Sequence, residues 1–312
     1  MTMGSTGTPR TIAEYLEQLR AALRGADPAL IQDALYDAEE HLRAELAEQP
    51  GRGEEEMLAK VVGSYGAPEE VAEIYRNQEI KIQRALRPPL PPKRRSMAGQ
   101  FFGVAADPRT YSALFYMLLS LATGIFYFTW AVTGISLSFG LAVLIIGIPF
   151  IVLFFGSVRV LSLVEGRMVE SMLGVRMPRR PAFSTRGLSL WQRIGAMFSD
   201  PRSWSTLFYM LMMLPMGIIY FTLTVTLLSV SLAFTAAPAI KLVASIYGFQ
   251  DTCDGPSWVC DWVLWLHGWA AAFVLCALGV LLLFATLHLV RTLGRLHGQV
   301  AKHLLVAGSG RE

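Results

Sequence analysis

Catalytic signatures are missing from this chain. It has no Gly-x-x-x-x-Gly-Lys phosphate loop, no Cys-x-x-Cys pair, no His-Glu-x-x-His and no Gly-x-Ser-x-Gly elbow. Gly308-Ser309-Gly310 is too short for a phosphate cradle and reads as a tail. Charge is scarce: 16% of residues are charged, where soluble domains are nearer a quarter. Three cysteines exclude a disulfide-dense secreted scaffold. No further His or Cys stands at ligand spacing from His41, so His41, set among acidic residues, reads as a surface residue. No long apolar run precedes Tyr111, so no signal peptide is expected and the N-terminus is expected to stay in the cytosol. No catalytic residue, cofactor or metal is therefore expected.

Apolar residues make up 53% of the 312, and the mean hydropathy is +0.43. The formal charge of +3 hides an asymmetry. Residues 1–86 hold 9 Lys/Arg against 16 Asp/Glu, a balance of −7, and the remainder holds 18 against 8, a balance of +10. An acidic soluble module thus precedes a basic membrane module.

Residues 11–25 have the periodicity of an amphipathic helix, with Ile12, Tyr15, Leu16, Leu19 and Leu23 on one face. Asp27-Pro28 starts a second helix, running to about Glu48. A third is predicted from Glu54 to Val62, ended by Gly63-Ser64-Tyr65-Gly66, and Pro68 starts a fourth. Short helices on short loops predict a small bundle. The pattern Tyr15-Leu16-x-x-Leu19, acidic Asp37-x-Glu39-Glu40-His41, and Gly63-x-x-Gly66-x-Pro68-Glu69-Glu70-Val71-Ala72 resembles the HAAS family, the helical signalling domain found with PadR-type transcriptional regulators. The resemblance covers about residues 11–80 and implies a cytosolic interaction module.

Arg87-Pro88-Pro89-Leu90-Pro91-Pro92-Lys93-Arg94-Arg95 reads as a semi-rigid linker whose basic end lies at an anionic leaflet. A nucleic-acid patch is the weaker reading, because Lys and Arg beside a first membrane helix follow from the positive-inside rule. Four spans are predicted, at 111–133, 137–159, 204–234 and 263–290, with a tight turn at Thr133-Gly134-Ile135-Ser136 and a bend at Gly147-Ile148-Pro149. The 23 residues of the first span reach about 34 Å, enough for a hydrocarbon core of about 30 Å. No Asp, Glu or Lys lies mid-span, which argues against an ion-coupled transporter.

The membrane module repeats itself. Asp107-Pro108-Arg109, Phe115, Tyr116, Met117, Gly124, Tyr127, Phe128 and Thr129 recur 93 residues later as Asp200-Pro201-Arg202, Phe208, Tyr209, Met210, Gly217, Tyr220, Phe221 and Thr222. Gly147, Arg159, Leu161, Gly166 and Leu173 recur at a shift of 132 as Gly279, Arg291, Leu293, Gly298 and Leu305. Each unit has an even number of spans, so the two repeats are expected to be parallel, about a pseudo-two-fold axis along the membrane normal. Arginines crowd the segment between spans two and three and follow span four, whereas the insertion near 235–262 has Lys241 alone. This predicts both termini in the cytosol and the insertion outside, in a bacterial inner membrane.

On the outer side, Cys253 and Cys260 are read as a disulfide, with free thiols the alternative. Trp258, Trp262 and Trp265 read as an interface belt, or as the lining of an apolar ligand site together with Tyr127, Trp130 and Tyr220. Asp107, Arg109, Asp200 and Arg202 read as helix starts with snorkelling arginines; the functional alternative is a switchable polar contact with the helical module. Stretches 98–106 and 189–199 read as interfacial helices anchored by Phe101, Phe102, Trp191 and Met197. His288 is expected to snorkel beside Arg291.

The Asp200-Pro201-x-x-Trp204 start, Leu207-x-Tyr209, Leu214-Pro215-x-Gly217, Val225-Thr226-Leu227-Leu228, Ala237-Pro238, Leu287-His288-Leu289-Val290-Arg291 and Arg295-Leu296-His297-Gly298 resemble the four-helix sensor domain of bacterial histidine kinases over about residues 107–305. No kinase follows before Glu312, so output is expected through the N-terminal module or a separate partner. The expected fold is all-α: a cytosolic helical domain at 1–86, a linker at 87–97, a first membrane repeat at 98–180 and a second at 181–312. The expected function is a non-catalytic membrane sensor relaying an envelope or membrane cue to a cytosolic transcriptional regulator or kinase, with membrane lipids as further partners, no direct nucleic-acid contact, and self-association left open. The alternatives are a transport or lipid-handling component and, more remotely, a lipid enzyme.

Overall fold

The N-terminal bundle begins where the chain first offers a helix cap. The computed structural model describes residues 8–48, 53–86, 96–141, 147–180, 195, 201–247 and 268–306, and among them there are helices and turns and no strand. Helix α1 spans Ile12–Ala22, with the Thr11 hydroxyl accepting from the Glu14 N–H. Gly25, at φ +80°, turns the chain into the left-handed region. The Asp27 carboxylate then accepts from the Ala29 N–H and starts α2, Pro28–Glu48. Helix α3 is Glu54–Tyr65 and α4 is Pro68–Leu86. The core holds Tyr15, Leu19, Leu30, Leu42, Met57 and Leu58, each at 3% exposure or less. Each such side chain contributes about 1.5–3 kcal/mol by burial. The α3–α4 turn falls at Gly66, φ +109°, the last residue of the predicted Gly63-Ser64-Tyr65-Gly66 stop, and Gly63 to Tyr65 are still helical. Gly66 is pinned there by the Tyr15 hydroxyl, which donates to its carbonyl at 2.9 Å.

After the linker, Ser96 caps a one-and-a-half-turn helix α5, Met97–Phe102, which tightens into a 3₁₀ turn at Gly103–Ala106. Four helices are long and apolar enough to cross a membrane: α6, Pro108–Leu141; α7, Gly147–Leu173; α8, Pro201–Thr235; and α10, Trp269–Leu305. The protein is a multi-pass membrane protein. A further short apolar helix, α9, Ala237–Ile246, which the periodicity did not predict, follows α8.

These helices run past the predicted spans. At about 1.5 Å per residue they are about 40–55 Å long, against about 30 Å of hydrocarbon. The expected turn at 133–136 is helical, because Gly134 lets the Phe154 ring pack against the backbone. The expected bend at 147–149 is the start of α7, where a first-turn proline is harmless. Span four does not stop at 290. Its periodicity continues through buried Val290, His297 and Ala301 to Leu305.

The chain divides into two compact units. The first comprises Met1–Leu90, Tyr127–Met212 and Leu296–Glu312, and the second Pro91–Phe126 and Met213–Arg295. In the second unit α6 and α8 touch backbone to backbone. A Cβ on Gly124 would lie 2.6 Å from the Met213 carbonyl oxygen, and one on Gly217 would strike the Ser120 carbonyl. The contact is reciprocal: Ser120 and Met213, like Gly124 and Gly217, are 93 residues apart. The helix starts Pro108 and Pro201 share that offset, and the ends Leu173 and Leu305 share the offset of 132.

Candidate functional site

Within the first unit, an arginine just past α7 is buried against the N-terminal bundle. Gly174, at φ +70°, ends α7 and turns the chain into the segment 174–180. Arg176 on that segment is 7% exposed. Its guanidinium reaches Asp33 of α2 at 3.1 Å, Glu79 of α4 at 3.3 Å and Glu170 of α7 at 3.3 Å, and donates to the Met177 carbonyl at 2.6 Å. The other Asp33 oxygen accepts from the backbone N–H groups of Arg179 and Arg180 at 2.6 and 2.8 Å. Gln32 donates to the Arg180 carbonyl at 2.8 Å, and the Arg180 side chain pairs with Asp37 at 2.9 Å. Lys302, near the end of α10, pairs with Asp27.

Charge balance sets the behaviour of this junction. One guanidinium faces three buried carboxylates. Burial alone would lower the Arg176 pKa, but Glu79, Asp33 and Glu170 outweigh it and hold the cation firmly protonated. Burial pushes the Asp33 carboxyl above the usual carboxylate range, against the pull of the Arg179 and Arg180 amides and of Arg176. Removing one partner from so desolvated a cluster costs much more than breaking a surface pair. The arrangement ties α2 and α4 of the bundle to the end of α7 and the segment after it.

A second buried network lies deeper in the same unit. Glu165 of α7 accepts from the Tyr127 hydroxyl at 3.0 Å and from the Tyr209 hydroxyl at 2.8 Å. Tyr209 also meets His297 Nε2 at 3.1 Å. Four helices, α6, α7, α8 and α10, are thereby joined through one carboxylate.

The residues singled out from sequence fall differently. Asp107 accepts from the Arg109 N–H at 3.0 Å, which starts α6, and pairs with Arg291 of α10 at 2.9 Å within the second unit. Its described partners therefore do not include the helical module. Arg202 lines a cavity near Gln32. Tyr127 is buried on Glu165, Trp130 donates to Ser157 at 2.9 Å, and Tyr220 is half-buried. His288 Nε2 meets the Phe101 carbonyl at 3.0 Å and its ring stacks on Phe101. His41 stacks on Tyr65, with ring centroids 4.4 Å apart. Asp200, Cys253, Cys260, Trp258, Trp262, Trp265, Trp191 and Met197 lie outside the described residues.

Sequence reasoning missed Asp33, Glu79, Glu165, Glu170 and Arg176. Glu165 and Glu170 were legible, with Asp200, as the three acids in an otherwise arginine-rich stretch. Asp33 was legible as a charge one turn from Leu30 on a buried face.

The model of the Sensor family, described as "Putative sensor", matches residues 116–305, more than half of the chain. The chain belongs to the Sensor family. The HAAS model matches residues 14–74, so a HAAS domain precedes the Sensor domain. No curated protein and no solved structure matches the chain. In these terms Arg176 belongs to the Sensor domain and Asp33 to the HAAS domain, and Glu79 lies just beyond the HAAS match.

Proposed function

We propose that this Sensor-family protein is a non-catalytic membrane sensor that relays an envelope or membrane cue to a cytosolic regulator through its HAAS domain. The burial of Arg176 between Asp33, Glu79 and Glu170 carries the reading, because it gives the relay a physical link. A shift of α7 acts on Glu170 and on the segment 174–180, and through Arg176 on α2 and α4 of the helical bundle. The Glu165 network binds α7 to three other helices, so their rearrangement bears on the same helix. The proposal keeps both termini in the cytosol of a bacterium and the 235–262 insertion outside. It also takes the two repeats as parallel; the reciprocal Gly124 and Gly217 contact supports a two-fold relation between α6 and α8.

Proximity crosslinking and pull-down from native membranes test the relay, using the full chain, a chain lacking residues 1–86, and the variant Arg176→Gln. A transcriptional regulator or kinase is expected with the full chain, absent without residues 1–86, and altered in yield by the variant. Capture of the same cytosolic proteins by the full and truncated chains would sink the relay through the HAAS domain. Capture of an ATPase by both would move the transport reading ahead.

A further inference from the structure

The segment after α7 meets the HAAS domain as a bound peptide would. Residues 174–180 form no helix, and alternate side chains go to different neighbours. Val175 and Met177 go to the long apolar helices. A Cβ on Gly298 of α10 would strike Val175 at 2.5 Å, and one on Gly166 of α7 would meet Met177 at 3.5 Å. Gly166 and Gly298 are one of the pairs repeated at a shift of 132. Arg176, between Val175 and Met177, goes instead to the bundle.

On the bundle side the recognition is polar and covers the main chain as well as the side chains. Two successive residues of α2 bracket Arg180: Asp33 accepts from its N–H and Gln32 donates to its carbonyl, both at 2.8 Å. Asp33 also takes the Arg179 N–H at 2.6 Å, and Pro178 before it has no N–H to satisfy. The two outer arginines meet separate acids. Arg176 lies between Asp33 and Glu79, and Arg180 pairs with Asp37, with the Tyr36 ring 5.9 Å away. The hydrophobic core of the bundle runs from Ile12 to Ala72 and includes no residue of the segment.

We infer that this face of α2 is a docking site for a non-helical Arg-x-Pro-Arg-Arg segment, held here by the chain's own residues 176–180, and that the cytosolic partner carries a segment of the same chemistry and competes for it. The inference rests on the relay reading and supplies the class of its partner. Charge complementarity decides that class. Residues 1–86 hold 16 Asp/Glu against 9 Lys/Arg, so the bundle attracts a basic peptide and repels the phosphates of a nucleic acid. Competition, rather than simple release, follows from burial. Withdrawing Arg176 with nothing in its place strips a cation from buried Asp33 and Glu79, which is costly, whereas an incoming guanidinium replaces it. The bundle keeps its apolar core through the exchange, and Val175 and Met177 keep the displaced segment on α10 and α7.

The probe is a fluorescein-labelled peptide of residues 174–180, with a scrambled peptide of the same composition as control. Each is titrated by fluorescence anisotropy into the full chain in a neutral maltoside detergent, and into full-chain variants. The unaltered chain presents its own segment at a high effective concentration. The free peptide is therefore expected to bind Arg176→Gln about tenfold or more tightly than the unaltered chain. It should also raise the melting temperature of Arg176→Gln, because it returns a guanidinium to Asp33. Arg180→Ala changes a half-exposed side chain and serves if Arg176→Gln fails to fold; it should strengthen peptide binding several-fold. Adding Asp33→Asn to either variant should weaken peptide binding several-fold. The inference is overturned if the peptide binds no more tightly than its scrambled control, or if both variants bind it no better than the unaltered chain does. If light scattering shows the variants pairing while the peptide fails, the face belongs to a second copy and the partner reading falls. Peptide binding as expected, with regulator capture that does not depend on residues 1–86, would count against the relay alone.

Discussion

Asp33 serves two kinds of donor at once. One oxygen meets the Arg176 guanidinium, and the other accepts the backbone N–H groups of Arg179 and Arg180. Asp33→Ala removes all three bonds and leaves a buried cation short of a partner, a loss of about 3–5 kcal/mol by comparison with other broken buried pairs. Asp33→Asn keeps an oxygen for the two amides and should cost clearly less. Chemical unfolding of the full chain, followed at the HAAS domain by hydrogen exchange, separates the two variants. The pH dependence has a definite sign. A carboxyl whose folded-state pKa is raised contributes stability that is fully present below its unfolded value and is lost as pH rises through the folded value. The advantage of the unaltered chain over Asp33→Asn should therefore grow as pH falls through that raised value, because protonation removes the cost of burying the Asp33 charge while Asn does not titrate. An advantage that shrinks on acidification would mean that the Arg176 pair, not burial, governs Asp33.

Among the elements, α6 and α8 meet backbone to backbone. The Cβ of any residue at 124 would press on the Met213 and Leu214 backbone, and at 217 on the Ser120 and Leu121 backbone. Backbone atoms on a packed helix cannot step aside as a flexible side chain does. Gly124→Ala and Gly217→Ala should each force the helices apart and cost about 1–3 kcal/mol, read as a lower melting temperature in detergent. The contact is reciprocal, so the two variants should act by similar amounts, and a large inequality would argue against it. Gly63 offers a contrast. It is helical and meets nothing within 4 Å, so Gly63→Ala should be neutral or slightly stabilising. Element ends were harder to read than element existence. Gly134, Ser136 and the glycine at 147 look like turn formers in a sequence, yet here packing keeps the first two inside a helix. Local turn preference is worth less than the packing and hydrogen bonding that a membrane helix retains by continuing.

For the whole molecule, the testable statement is sidedness. With the native cysteines changed to serine, Ser64→Cys places a thiol on the exposed face of the helical bundle, and Tyr247→Cys places one just after α9 at a residue 75% exposed. On intact spheroplasts, a thiol reagent that cannot cross the membrane should label Tyr247→Cys and leave Ser64→Cys untouched until the cells are opened. The opposite pattern would overturn the assignment of the termini to the cytosol, and with it the placement of the HAAS domain.

The amino-acid sequence by itself determined that this chain is helical and multi-pass, and that an acidic bundle precedes a duplicated apolar module. Hydropathy, periodicity and spaced repeats are properties of one stretch of chain at a time, and Tyr15, Leu19, Gly66 and Pro68 carry them at short range. Tertiary structure alone decided which charges meet. Asp33 and Arg176 are 143 residues apart, and Tyr209 and His297 are 88 apart. Along the chain Arg176 is one of many arginines in a basic stretch, and Glu165 one acid beyond a predicted span. Burial makes them different from their neighbours, because a charge withdrawn from water must find its partner wherever the fold brings one.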